Sequence, residues 1–238
     1  MIIKSSSSTL KYALFCSLIL NAIALFFFAE RKIEFNKRHS GAPTIDHVKN
    51  LDYFLNREDI YKLFPINSND IVMAGDSHTQ NYDIPEYLPE YKIINRGIGF
   101  DVSEGLLKRI DEIIDGKPKK LFIEIGINDL SKHIRQATTI RNIDTIITKA
   151  QTVSPATKIF VTNIFPVNLN DGYNMKDSVV TLNEKLKSLC NKRGVVYIDM
   201  YSLLNDKGYL NKQFDCGDGI HLNGKGYIVY TKALKNYL

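Results

Sequence analysis

The chain has no tryptophan, only three cysteines, and few glycines and prolines. Each shortage excludes something. Three cysteines cannot build a disulfide framework. Cys16 lies in an apolar run, and Cys190 and Cys216 have no metal-ligand spacing. Two free thiols are expected there, with Cys190 packed on a helix. With 14 Gly and 7 Pro in 238 residues, collagen-like and low-complexity classes are excluded. Strong charge is also missing, except at one end. The net charge is +5, but residues 1–40 hold six bases and two acids, leaving 25 bases against 24 acids elsewhere. A nearly neutral globular part carries no footprint for nucleic acid. A dinucleotide-binding glycine loop is absent as well. After Gly97 and Gly99 the third glycine of G-x-G-x-x-G would stand at Val102.

One long apolar run is present. Tyr12 to Ala29 carries no charge, with Ser17 and Asn21 its only distinctly polar residues. A spanning helix needs roughly 17–25 mostly apolar residues. Lys11 flanks one end, and Arg31 and Lys32 flank the other. Ala22 and Ala24 form an A-x-A pattern, but the apolar run continues beyond it, whereas a cleavage site follows the apolar core. An uncleaved single-pass anchor is therefore expected. Bases on both sides leave its orientation open. The general use of isolated N-terminal anchors for export puts the following domain outside the cytoplasm. The expected organisation is a tail over 1–11, the anchor over 12–29, a linker and leading helix over 30–65, and a catalytic domain over 66–238.

After Pro65 short apolar runs alternate with helical patterns. Strands are expected at Asp70–Ala74, Tyr91–Asn95, Lys120–Ile125, Lys158–Asn163 and Val195–Asp199. Helices are expected at Val102–Ile114, Thr138–Thr152, Met175–Lys192 and Gly224–Leu238. Such alternation implies an α/β fold, a five-stranded parallel sheet covered on both faces. Ligands of such sheets bind beyond the carboxyl ends of the strands.

Those ends carry the chemistry. The first gives Gly75-Asp76-Ser77-His78-Thr79, with a serine entering a helix. Alone, this is most often an N-cap. The second gives Asn95-Arg96-Gly97-Ile98-Gly99-Phe100-Asp101, whose glycines let backbone approach a ligand. The third gives Gly126-Ile127-Asn128-Asp129, where an Asn amide could donate to a developing oxyanion. Before the last helix stands Asp218-Gly219-Ile220-His221. A serine needs a base, an imidazole is the usual one, and a carboxylate must orient it. His39 and His47 lie in or near the linker, and His133 is a weaker rival to His221.

In this order, the four blocks resemble the SGNH (GDSL-type) hydrolase superfamily over about residues 66–238. Asn95-Arg96-Gly97-Ile98, Gly126 to Leu130 and Phe165-Pro166-Val167-Asn168 resemble most its bacterial platelet-activating-factor acetylhydrolase-like branch. The resemblance implies a three-layer flavodoxin-like α/β/α fold and hydrolysis of short, often acetyl, esters. It implies Ser77, His221 and Asp218 as catalytic residues. Ser77, Gly99, Phe100 and Asn128 would form the oxyanion hole. No metal or organic cofactor is expected, and the substrate would be a small-molecule or glycan ester. The branch has Gly-Gly-Asp where this chain has Gly99-Phe100-Asp101, so either Gly99 or Phe100 would supply the backbone donor. An acyltransferase using the same acyl-enzyme, and a non-catalytic tethered binding module, are the alternative readings. The loop over 165–178 is expected to border the site.

Overall fold

A computed structural model describes residues 52–168 and 175–238. These belong to a compact unit running from Pro43 to Leu238. The expected anchor at 12–29 lies outside the described residues, as do 169–174 of the expected site-bordering loop. Among the described residues no helix is long and apolar enough to cross a membrane.

Five parallel strands form the sheet: β1 (Ile71–Gly75), β2 (Ile93–Gly97), β3 (Lys120–Glu124), β4 (Lys158–Thr162) and β5 (Val196–Ile198). Their order is β2-β1-β3-β4-β5, the flavodoxin-like arrangement. All five match the expected strands to within two residues at either end. The chain winds outward from β1 to β2, then returns to place β3 on β1's other side. Gly75 therefore aligns with Gly97 in β2 and with Glu124 in β3. The order reverses at β1, and this reversal opens a crevice beyond its end.

Side chains alternate across the sheet with period two, so each strand serves two cores. Val72, Ala74, Leu121, Ile123, Ile159 and Val161 face one. That core is closed by α4 (Ser103–Arg109), α7 (Gln136–Val153) and α8 (Met175–Arg193). Met73, Phe122, Phe160 and Ile198 face the other, beneath Tyr227, Tyr230 and Leu234 of α10 (Gly224–Leu234). Phe122 and Phe160 stack there at 4.5 Å.

Several expectations change in detail. The single helix over 102–114 is two, α4 and α5 (Asp111–Ile114), which meet at Ile110. Ile110 keeps right-handed dihedrals, so the axis is broken without a reversal. The last helix ends at Leu234 and tightens into a 3₁₀ turn. The leading helix α1 (Asp52–Leu63) packs onto the domain, where Phe54, Tyr61 and Ile98 form a small third core. A two-stranded hairpin, Asn205–Asp206 with Tyr209–Leu210, was not expected at all. Cys190 is buried, Cys216 is exposed, and both thiols are free.

Candidate active site

The β1 end is shaped by crowding. A Cβ on Gly75 would lie 2.1 Å from the Glu124 carbonyl oxygen, so only glycine lets the two strands close there. Asp76 follows as an N-cap whose carboxylate accepts the His78 backbone N–H at 3.1 Å. Ser77 then opens the short helix α2 (Ser77–Gln80). No acceptor among the described residues takes the Ser77 N–H.

His221 arrives from 144 residues downstream. Its Nε2 lies 2.8 Å from Ser77 Oγ. Its Nδ1 lies 2.6 Å from Asp218 Oδ2. Asp218 Oδ1 accepts the backbone N–H groups of Ile220 and His221, at 2.9 and 2.8 Å. One carboxylate thus folds the turn and holds the ring. Partial burial would raise its pKa, but the bonds from His221 and Ile220 outweigh this and hold it well below the usual carboxylate range. The turn is tied down again where the Asn168 N–H donates to the Gly219 carbonyl at 2.7 Å.

The two candidates for the backbone donor separate. The Gly99 N–H donates to Gln80 Oε1 at 2.9 Å, and the Tyr53 hydroxyl donates to the same oxygen at 2.5 Å. Gly99 is committed to this support and is not available to a substrate oxygen. Phe100 has φ 63°, the left-handed region where glycine is at home. Its side chain is replaced relative to the glycine pattern, while its backbone keeps the glycine conformation. The Phe100 N–H has no acceptor among the described residues. Asn128 Nδ2 donates one hydrogen to the Asp101 carbonyl at 2.9 Å, which leaves the second.

These loops rest on a buried arginine. Arg109 donates to Asp101 Oδ2 at 2.9 Å, to the Arg96 carbonyl at 2.8 Å and to the Gly75 carbonyl at 3.0 Å. It ties the first block to the second. Asp129 accepts from the Ser103 N–H at 2.8 Å and from Thr139 Oγ1 at 3.0 Å, so it anchors helices rather than substrate.

Sequence reading missed Tyr53, Gln80 and Arg109, and gave His78 no role. His78 stood inside the quoted serine block and offered a signal. The other three look like ordinary polar residues of helices. Among the described residues, two groups each bring three metal-ligating atoms within 4.8 Å of one another: Cys216, Asp218 and His221, and Asp76, His78 and Glu124. In the first, His221 and Asp218 already engage each other.

The chain belongs to the GDSL-like lipase/acylhydrolase family of carboxylic ester hydrolases, whose family model matches residues 73–229. Solved structures agree in fold. A Streptococcus pneumonia protein described as a platelet activating factor is 26% identical, with a TM-score of 0.71 over 83% of this chain and 99% of its own. A Bacteroides fragilis protein described as an acylhydrolase is 22% identical, with a TM-score of 0.69 over 79% and 95%. A catalytic mutant of an acetylxylan esterase from Geobacillus stearothermophilus is 17% identical, with a TM-score of 0.59 over 72% and 95%. No curated protein matches the chain.

Proposed function

We propose that Ser77 is the nucleophile, His221 its base and Asp218 the orienting carboxylate of a hydrolase for short acyl esters. The observation that carries this is the unbroken chain from Ser77 Oγ to His221 at 2.8 Å and on to Asp218 at 2.6 Å. His221 takes the hydroxyl proton as Ser77 attacks the ester carbonyl. It then gives that proton to the departing alcohol, leaving an acyl-serine. Water, deprotonated by the same ring, releases the acid and restores the serine. Asp218 keeps Nδ1 protonated and stabilises the transient imidazolium. The oxyanion is met by the N–H groups of Ser77 and Phe100 and by the second Asn128 amide hydrogen. Each such donor is typically worth ~2.7–4 kcal/mol in the transition state.

The resemblance to the acetylhydrolase-like branch favours a short acyl chain, acetyl first, and Phe100, which carries a proposed donor, is 61% exposed. A cavity of about 460 Å³ adjoins the base turn, lined by Asn168, Lys212, Asp215, Gly217, Asp218 and Gly219. This polar lining suits a hydroxyl-bearing alcohol such as a sugar better than a lipid. Residues 12–29 would tether the enzyme to a membrane with the domain outside the cytoplasm. Resistance of the protein to alkaline extraction from membranes, and its digestion by protease added outside intact cells, test that tether.

The deciding experiment is hydrolysis of p-nitrophenyl esters from acetate to octanoate by the parent and by Ser77→Ala. Acetate is expected to turn over fastest, and the variant to lose turnover. Equal rates in the two proteins would end the proposal. Product analysis with an added sugar acceptor distinguishes hydrolysis from acyl transfer.

A further inference from the structure

Directly beneath the nucleophile lies a buried group the mechanism above does not use. Asp76, His78 and Glu124 are 0%, 1% and 2% exposed. His78 Nδ1 faces Asp76 Oδ1 at 3.5 Å and Glu124 Oε1 at 3.7 Å. These are ion-pair separations, and among the described residues Nδ1 has no closer partner. On the opposite side of the ring, Nε2 lies 2.9 Å from the Ile220 carbonyl.

The donor assignment follows from the partners. A carbonyl can only accept, so Nε2 carries a hydrogen. Nδ1 faces the Asp76 carboxylate, which would repel a bare lone pair, with the Glu124 carboxyl group beside it. A proton on Nδ1 resolves this, and the ring is then an imidazolium. Burial by itself would favour the neutral ring. The adjoining Asp76 and Glu124 carboxyl groups outweigh it, and the pKa rises to about 9. Glu124 is in turn raised to about 8 by burial and by the charge of Asp76, against the pull of His78.

Ile220 belongs to the turn that carries His221. His78 is therefore bonded to the residue next to the proposed base, while sitting next to the proposed nucleophile in the chain. The two imidazoles lie 5.4 Å apart between centroids. Phe165 packs on the His78 ring at 4.7 Å, and the Tyr227 hydroxyl donates to the His78 carbonyl at 2.9 Å. The ring has no room to swing away.

We infer that His78 is a positioning residue: its Nε2–H, aimed by Asp76 and Glu124, clamps the Ile220 carbonyl and sets the reach of His221 Nε2 to Ser77 Oγ. This rests on the catalytic reading given under Proposed function. The clamp touches no substrate, so its loss acts on turnover and spares binding.

The test uses the full-length protein. His78→Leu removes the donor, and His78→Gln places an amide N–H near the position of Nε2. A displacement of about 1 Å in a catalytic group can cost ~10²-fold. We expect kcat for p-nitrophenyl acetate to fall by about that much in H78L with KM little changed, and by less than ~10-fold in H78Q. Urea midpoints identify any variant that is not folded. Independently, ¹⁵N-histidine NMR of the parent at pH 7.5 is expected to show both nitrogens of one buried ring protonated. H78L at parental kcat overturns the inference, as does H78Q falling as far as H78L when both are folded. A neutral buried imidazole, or stoichiometric zinc in the purified protein, also overturns it. Failure of the hydrolase reading looks different: Ser77→Ala would then turn over ester at the parental rate.

Discussion

The two halves of the proposed machinery are built in opposite ways. The nucleophile side sits on a buried frame, with Asp76 and Arg109 almost fully enclosed. The base side is a surface turn in which the side chains of His221 and Asp218 are 27% and 47% exposed. On the buried side geometry is fixed by packing and by bonds that water cannot replace. On the exposed side it is fixed by a carboxylate bonded to its own turn. Loss of a buried ionic tie in the first should lower stability, and damage to the second should spare the fold and reduce turnover.

Experiments can break or sharpen this contrast. Ser77→Ala should have the largest effect, a loss of at least ~10⁴-fold in kcat/KM with an unchanged urea midpoint. Arg109→Met comes next and should act on stability. It leaves Asp101 buried without its cation, which typically costs ~3–5 kcal/mol, read as a lowered urea midpoint. Asp218→Asn should do the reverse: a ~10²–10⁴-fold fall in kcat from a lost orienting charge, with stability almost unchanged. If Asp218→Asn destabilises as much as Arg109→Met, the contrast fails.

A smaller effect tests the buried cluster by pH. When folded, Glu124 and His78 hold protons up to about 8 and about 9, which the unfolded chain gives up at their lower ordinary values. The folded state then binds more protons at these two sites, so their contribution to stability is full at low pH and is lost as pH rises through those values. The urea midpoint should fall as pH rises from about 4.5 to about 9, and less steeply in H78Q. Smallest of all, Phe100→Gly should relieve a left-handed conformation worth ~1 kcal/mol. Turnover of acetate should persist, because the N–H remains. Longer acyl esters should gain relative to acetate.

What could be read from the sequence divides along the same physical lines. The strands were legible because each is a short apolar run covered on both faces. The 205–210 hairpin was not, since two-residue strands carry no periodicity. Ser77 stood out by its place after a strand, and Asp218 and His221 by their spacing within one turn. The choice between Gly99 and Phe100 was invisible. It depends on which N–H Gln80 captures, a contact between residues 19 apart. Arg109 looked like an ordinary base on an amphipathic helix. Its three acceptors come from Gly75, Arg96 and Asp101, which only the fold brings together.

Helix α1 carries a consequence for any shortened form of the chain. The family match begins at residue 73, yet Tyr61 donates to the Gly97 carbonyl and Tyr53 to Gln80. Trimming the protein to the family boundary would strip both hydroxyls from beneath the second block. Such a fragment would keep every proposed catalytic side chain while losing the prop under the proposed oxyanion loop.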